Sequence, residues 1–123
     1  MDPSLLQRLW PVFVEEAREH LQEIGAGVLD LEKGTGRPGL LDAVRRTAHG
    51  LKGSAASLGL TDLERLAHGI ESALANRSQE DRLEAPRVEA LLAALDVAEA
   101  ALRLGDASWS LAAVASASSW SVT

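Results

Sequence analysis

The stretch PGLLDAVRRTAHGLKGSAASLGL, residues 38–60, decides the fold. Its apolar residues Leu41, Val44, Ala48, Leu51, Ala55 and Leu58 recur at spacings of three and four, which is one stripe of an α-helix. Pro38 suits the start of a helix and Gly59 its C-terminal stop, so the pattern predicts a helix over Pro38–Leu58. Upstream, Trp10, Phe13, Ala17, Leu21, Ile24, Val28 and Leu31 repeat the same spacing. Asp2 caps that first helix and Pro3 opens it. Pro11 lacks a backbone donor, so Ser4–Trp10 is expected to be kinked or a separate turn. Gly25 and Gly27 each weaken the helix by about 1 kcal/mol, and tertiary packing must hold it. Gly34–Gly36 ends it.

Downstream, Thr61 and Glu64 read as a capping box opening a third helix, which buries Leu63, Leu66, Ala67, Ile70 and Leu74. Residues Asn76–Glu84 are polar and read as a loop. A fourth helix starts near Ala85 and Pro86, buries Val88, Leu91, Leu92, Leu95, Ala98 and Leu102, and ends at Gly105. Four amphipathic helices with mostly short connections make an all-α, antiparallel four-helix bundle. The bundle is expected over residues 3–105. Residues 106–123 form an Ala/Ser-rich tail with Trp109 and Trp120, read as a short fifth helix, a linker into a further domain, or a cloning remnant.

The same central stretch carries the chemistry. On a helix, His49, Lys52, Gly53 and Ala56 share a face, and His49 flanks the apolar stripe, so its imidazole reaches solvent. If helices two and three fold back about residue 60, residues equidistant from it lie level. His49 lies eleven before and Glu71 eleven after, and the same count sets Lys52 level with His68. A carboxylate that accepts the Nδ1 proton fixes the imidazole tautomer and leaves Nε2 as a nucleophile. Glu71 can do this for His49. Lys52 offers a mobile cation to phosphoryl oxygens, and Gly50 and Gly53 keep the surface flat for a partner. His20 has no motif around it and is expected to be exposed. Arg45 and Arg46 read as a solvated face, and Glu15, Glu16 and Glu19 as facing water. For Glu71 the competing reading is a structural partner for Arg65, Arg77 or His68.

Composition bounds the alternatives. The 123 residues fit one domain, and 46% hydrophobic content fills one core. With no Tyr and one Phe, a strand-rich fold is not expected. With no Cys there is no disulfide framework or thiolate metal site, which fits the cytoplasm. The net charge of −6 argues against nucleic acid. The N-terminus lacks a signal-peptide pattern, and no apolar run reaches the roughly 18 residues of a membrane span. There is no G-x-x-x-x-G-K or kinase-like glycine-rich loop, so the chain is not expected to phosphorylate itself from ATP.

The stretch from Arg46 to Ser54, with its H-x-x-K-G motif, resembles the histidine phosphotransfer family. More closely it is similar to the N-terminal phosphotransfer domain of chemotaxis-type histidine kinases, the CheA group. The likeness spans about Phe13–Leu104. It includes Phe13–Ala17 and Leu29–Leu31 in the first helix, the Leu58-Gly59 turn, and Leu66–Glu71 in the third helix, which holds the supporting His68 and Glu71. The resemblance implies that His49 accepts a phosphoryl group from a kinase ATP-binding domain and passes it to the Asp of a response-regulator receiver. Glu71 would orient His49, Lys52 would stabilise the phosphoryl group, and His68 would support them. Arg46, Gly50, Gly53 and Ala56 would meet the partner. ATP and Mg²⁺ belong to the partner domains, with no cofactor in this one. The isolated domain is expected to be a monomer, free of membrane and nucleic acid. Glu71 favours a kinase-linked domain over a free-standing phosphorelay protein. A substantial fifth helix is usual in the family, and the tail matches it poorly. Trp10-Pro11 is also unusual. Two other functions compete: a metal-binding bundle using His49, His68 and Glu71, and a plain interaction bundle without chemistry.

Overall fold

The computed structural model describes residues 3–75 and 82–103, which form four α-helices: α1 (Pro3–Lys33), α2 (Leu40–Ser57), α3 (Thr61–Ala75) and α4 (Ala85–Arg103). No strand occurs among the described residues. Neighbours run antiparallel. Glu16 meets Ser54 and Glu23 meets Thr47 across α1 and α2. The Leu83 amide donates to the Leu31 carbonyl at 3.2 Å where α4 begins beside the end of α1. The all-α antiparallel bundle is therefore the observed architecture. Gly105, residues 106–123 and most of the polar segment after Ala75 lie outside the described residues.

The α2–α3 turn sets the register of the site. Gly59 takes φ 73°, a left-handed conformation that costs a glycine little. The Leu60 amide reaches back to the Ala55 carbonyl at 2.9 Å and the Gly59 amide to Ala56 at 3.1 Å. This is a Schellman motif, with Leu60 buried as its hydrophobic clasp. Gly39, at φ 85°, plays the corresponding part at the N-cap of α2, so that helix starts two residues after Pro38.

Two expectations are overturned. α1 runs unbroken through Pro11, so there is no separate first turn. Pro11 is exposed, and Trp10 and Phe13 are buried beside it with ring centroids 5.7 Å apart. Their burial, at about 1.5–3 kcal/mol each, offsets the proline penalty of about 3 kcal/mol. The capping box is also out of register. The Leu60 carbonyl accepts the Glu64 amide at 2.9 Å, so Leu60 is the N-cap and Thr61 is already helical.

The expected stripes converge on one core, with Ile24, Leu31, Leu51, Leu63, Ile70, Leu74 and Leu91 fully enclosed. Leu83 joins them from the segment read as polar loop. The two helix glycines differ in their reasons. A Cβ at Gly27 would collide with Val44 Cγ2, so this glycine lets α1 and α2 approach closely. A Cβ at Gly25 would meet Leu95 Cδ1 at an ordinary 3.7 Å. Gly25→Ala is therefore expected to raise stability by about 1 kcal/mol and Gly27→Ala to lower it by about 1–3 kcal/mol. Urea unfolding of both variants checks the opposite signs. No described helix is long and apolar enough to cross a membrane.

Candidate functional site

His49 lies on the outer edge of α2, its side chain 66% exposed. The register set at Gly59 brings Glu71 of α3 level with it, and His49 Nδ1 and Glu71 Oε2 are 2.8 Å apart. Lys52, one turn along α2, donates to the other carboxylate oxygen, Oε1, also at 2.8 Å. Glu71 is thus a fork that holds a ring with one oxygen and an ammonium with the other. Its side chain is only 18% exposed, and Lys52 is 27% exposed.

The electrostatics follow from that geometry. The hydrogen bond from Lys52 is the main cause holding the Glu71 carboxyl below its ordinary value. Burial opposes the shift and the His49 contact adds to it. An ionised carboxylate only accepts hydrogen bonds, so Nδ1 must carry the proton. In the neutral ring Nε2 is then the nitrogen with the free lone pair.

Of the other residues named from the sequence, Gly50, Gly53 and Ala56 are exposed on α2. A Cβ at Gly53 would meet nothing within 4 Å. Arg46 is turned back onto Asp42, with Nη1 to Oδ2 at 2.6 Å, and Arg45 reaches Asp42 at 3.5 Å. His68 is exposed on α3, and no bond among the described residues joins it to the cluster. Lys52 meets Glu71 rather than lying against His68, because its long stem reaches the carboxylate on the floor of the α2–α3 seam. The site therefore unites His49, Lys52 and Glu71 without His68. Among the described residues no three His, Cys, Asp or Glu side chains converge as a metal site would require. The metal-binding alternative thus lacks its ligand set, since His68 does not join the other two.

The α1 flank differs from its reading. His20 is half-buried, not exposed: its Cε1 comes within 3.9 Å of the position of a Gly50 Cβ, and its Nδ1 is buried without a hydrogen bond. Glu16 accepts from Ser54 Oγ at 3.2 Å and Glu23 from Thr47 Oγ at 3.4 Å. These α1–α2 pairs obey one antiparallel register, since 16 and 54, 23 and 47, and 20 and 50 are all centred on residue 35 of the connection.

Comparison with known proteins supplies the context for this geometry. The Hpt domain family matches residues 8–101. The chain is 33% identical over 91 residues to the chemotaxis protein CheA of Halobacterium salinarum, covering 73% of this chain and 14% of that protein. It is 38% identical over 86 residues to CheA of Bacillus subtilis, covering 69% and 13%. It is 38% identical over 98 residues to the gliding motility regulatory protein of Myxococcus xanthus, covering 79% and 12%. The chain thus spans about a seventh or less of the length of these relatives. No solved structure gave a significant match. A helical bundle with this family match over most of its length, and relatives that are mostly chemotaxis proteins CheA, belongs to the Hpt domain family, the histidine phosphotransfer domains of two-component signalling.

Proposed function

We propose that residues 3–105 act as the phosphocarrier domain of a CheA-type kinase pathway, with His49 as the phosphoacceptor. The observation that carries this reading is the 2.8 Å contact between His49 Nδ1 and an ionised Glu71, on a ring that is otherwise open to solvent. Nε2 attacks the γ-phosphorus of ATP held with Mg²⁺ on a kinase domain, the Nε2–P bond forms, and ADP leaves. The imidazole gains positive charge as that bond forms, and Glu71 compensates it through Nδ1–H. In the second step a receiver aspartate attacks the phosphorus, the Nε2–P bond breaks, and the ring returns to neutral. Lys52 neutralises Glu71 in the resting state. The flat strip of Gly50, Gly53 and Ala56 lets the partner's active site approach Nε2, and both steps belong in the cytoplasm. The pairing of a carboxylate with the ring is not needed for a plain interaction bundle.

The test is labelling of the whole chain with labelled ATP and the catalytic core of a chemotaxis-type kinase. Acid-labile, base-stable label confined to the peptide containing His49 is expected, followed by its loss to an added receiver. Label on another peptide, or none while the core phosphorylates its own domain, overturns the proposal.

A further inference from the structure

Beside His49 the surface dips into an open cleft of about 430 Å³, lined by Asp42, Arg45, Arg46, Gly50 and Glu71 together with His49 itself. Two guanidinium groups share one carboxylate there: Arg46 bonds Asp42 at 2.6 Å, and Arg45 reaches it at 3.5 Å. Arg45 Nε is buried and makes no hydrogen bond. The cleft therefore carries one uncompensated positive charge from these three residues, in a chain whose net charge is −6. The other cation near the ring, Lys52, is committed to Glu71.

We propose that Arg45 and Arg46 are a switchable cation site for the phosphoryl group on His49, a guanidinium leaving Asp42 for the phosphoryl oxygens once the Nε2–P bond has formed. This rests on the reading of His49 as phosphoacceptor and adds to it the residues that hold the product. Helical side chains lean toward the N-terminus and onto the turn three and four residues before them. For His49 that is the turn bearing Arg46 and Arg45. With Nδ1 tied to Glu71, a group on Nε2 projects over this cleft. A phosphoryl group brings about −1.5 to −2 charges at neutral pH, more than Lys52 can balance while it remains with Glu71. The exchange is favourable in direction. An exposed pair one turn apart on a helix is among the weakest ion pairs, and the Arg46 and Asp42 side chains are 72% and 58% exposed. Arginine with a phosphoryl group forms bidentate, charge-assisted bonds, among the strongest available. Asp42, in the first turn of α2, stays stabilised by the helix dipole when a guanidinium leaves it.

The test uses the whole chain phosphorylated by phosphoramidate, a small donor that bypasses the kinase: the phosphoryl group moves from the amine nitrogen to Nε2 and ammonia leaves. Phosphorus NMR then follows the protonation midpoint of the phosphoryl group with pH, and nitrogen NMR follows the Arg45 and Arg46 Nε–H signals. In the wild type both Nε–H signals are expected to move on phosphorylation. The R45Q/R46Q double variant should raise the midpoint by about half a pH unit, roughly threefold in proton affinity. D42N, which frees both guanidinium groups, should lower it. Opposite signs from substitutions within one turn of the same helix would not arise from general destabilisation. A labelled wild type with unmoved Nε–H signals, or midpoints equal in all three proteins, overturns this inference alone. No phosphohistidine from either phosphoramidate or the kinase core overturns the phosphoacceptor reading and this inference with it.

Discussion

His49→Gln is expected to take up no phosphoryl label, and Glu71→Gln to take it up on the order of 10–100-fold more slowly with the bundle intact. The first follows because the glutamine amide nitrogen that can take the place of Nε2 has its lone pair delocalised into the carbonyl and is no nucleophile. The second separates charge from shape. A glutamine fills the volume of Glu71 and can still accept from Nδ1–H through its carbonyl. It cannot compensate the positive charge that the ring gains during attack, and it releases Lys52. Positioned groups that handle a proton in the transition state contribute about 10²–10⁴-fold. The effect here falls at or below the bottom of that range because the His49 ring is 66% exposed and water takes part of the load. Initial labelling rates at saturating kinase core measure the effect. A Glu71→Gln rate equal to wild type would remove the carboxylate from the mechanism. Stability provides an independent check on the same residue. The Glu71 carboxyl is held below its ordinary value, chiefly by Lys52. A group with a lowered folded value stabilises the fold above its unfolded value and loses that contribution as pH falls through the folded one. Glu71→Gln is therefore expected to melt below wild type at neutral pH, by about 1 kcal/mol. The difference should shrink to nothing as the pH drops below the lowered Glu71 value. Thermal melts across the acid range record whether the curves converge.

The His49–Glu71 contact could be read from the chain because the α2–α3 connection is short and its geometry is dictated by one glycine. Gly59 leaves little freedom in how α3 returns, so counting from residue 60 gives the level pair correctly. Counting fails one turn later. Lys52 and His68 are also level by number, yet Lys52 bends its stem toward the buried carboxylate and His68 stays on the outer surface. Level on the axis says nothing about which way a flexible side chain turns. The apolar stripes were legible for a similar reason: period and burial coincide in every helix from Trp10 to Leu102, except that Leu58 and Leu92 at the stripe edges are only partly buried. What escaped the pattern is local or long-range. Pro11 reads as a breaker because propensity ignores the burial of Trp10 and Phe13 beside it. Leu83 reads as loop because a single apolar residue has no period. His20 reads as exposed because nothing in α1 alone reveals that its ring lies against α2 beside Gly50.

Leu51→Ala should lower stability by about 2–5 kcal/mol while leaving the phosphorylation rate per folded molecule within a few-fold of wild type. Leu51 is fully enclosed. On the buried stripe of α2 it stands between Ala48 and Ala55, so it is the one large side chain that α2 inserts at the level of the site. Truncating it removes transfer free energy and leaves a cavity that its neighbours fill only in part, which is the source of the 2–5 kcal/mol. A domain of this size holds about 5–15 kcal/mol in all, so the melting temperature should fall on the order of 10–30 °C. The chemistry should survive in the molecules that remain folded. His49 and Lys52 flank Leu51 in sequence, but their side chains leave the helix on the other side, and the turn at Gly59 that aligns them with Glu71 is formed by backbone bonds two turns away. Labelling well below the melting transition, corrected for the folded fraction from circular dichroism, measures this. Glu71→Gln slows labelling strongly and costs only about 1 kcal/mol of stability, whereas Leu51→Ala should cost more stability and leave labelling near wild type. If Leu51→Ala instead slows labelling as severely as Glu71→Gln while still folded, the core beneath α2 and not the turn sets the His49–Glu71 distance.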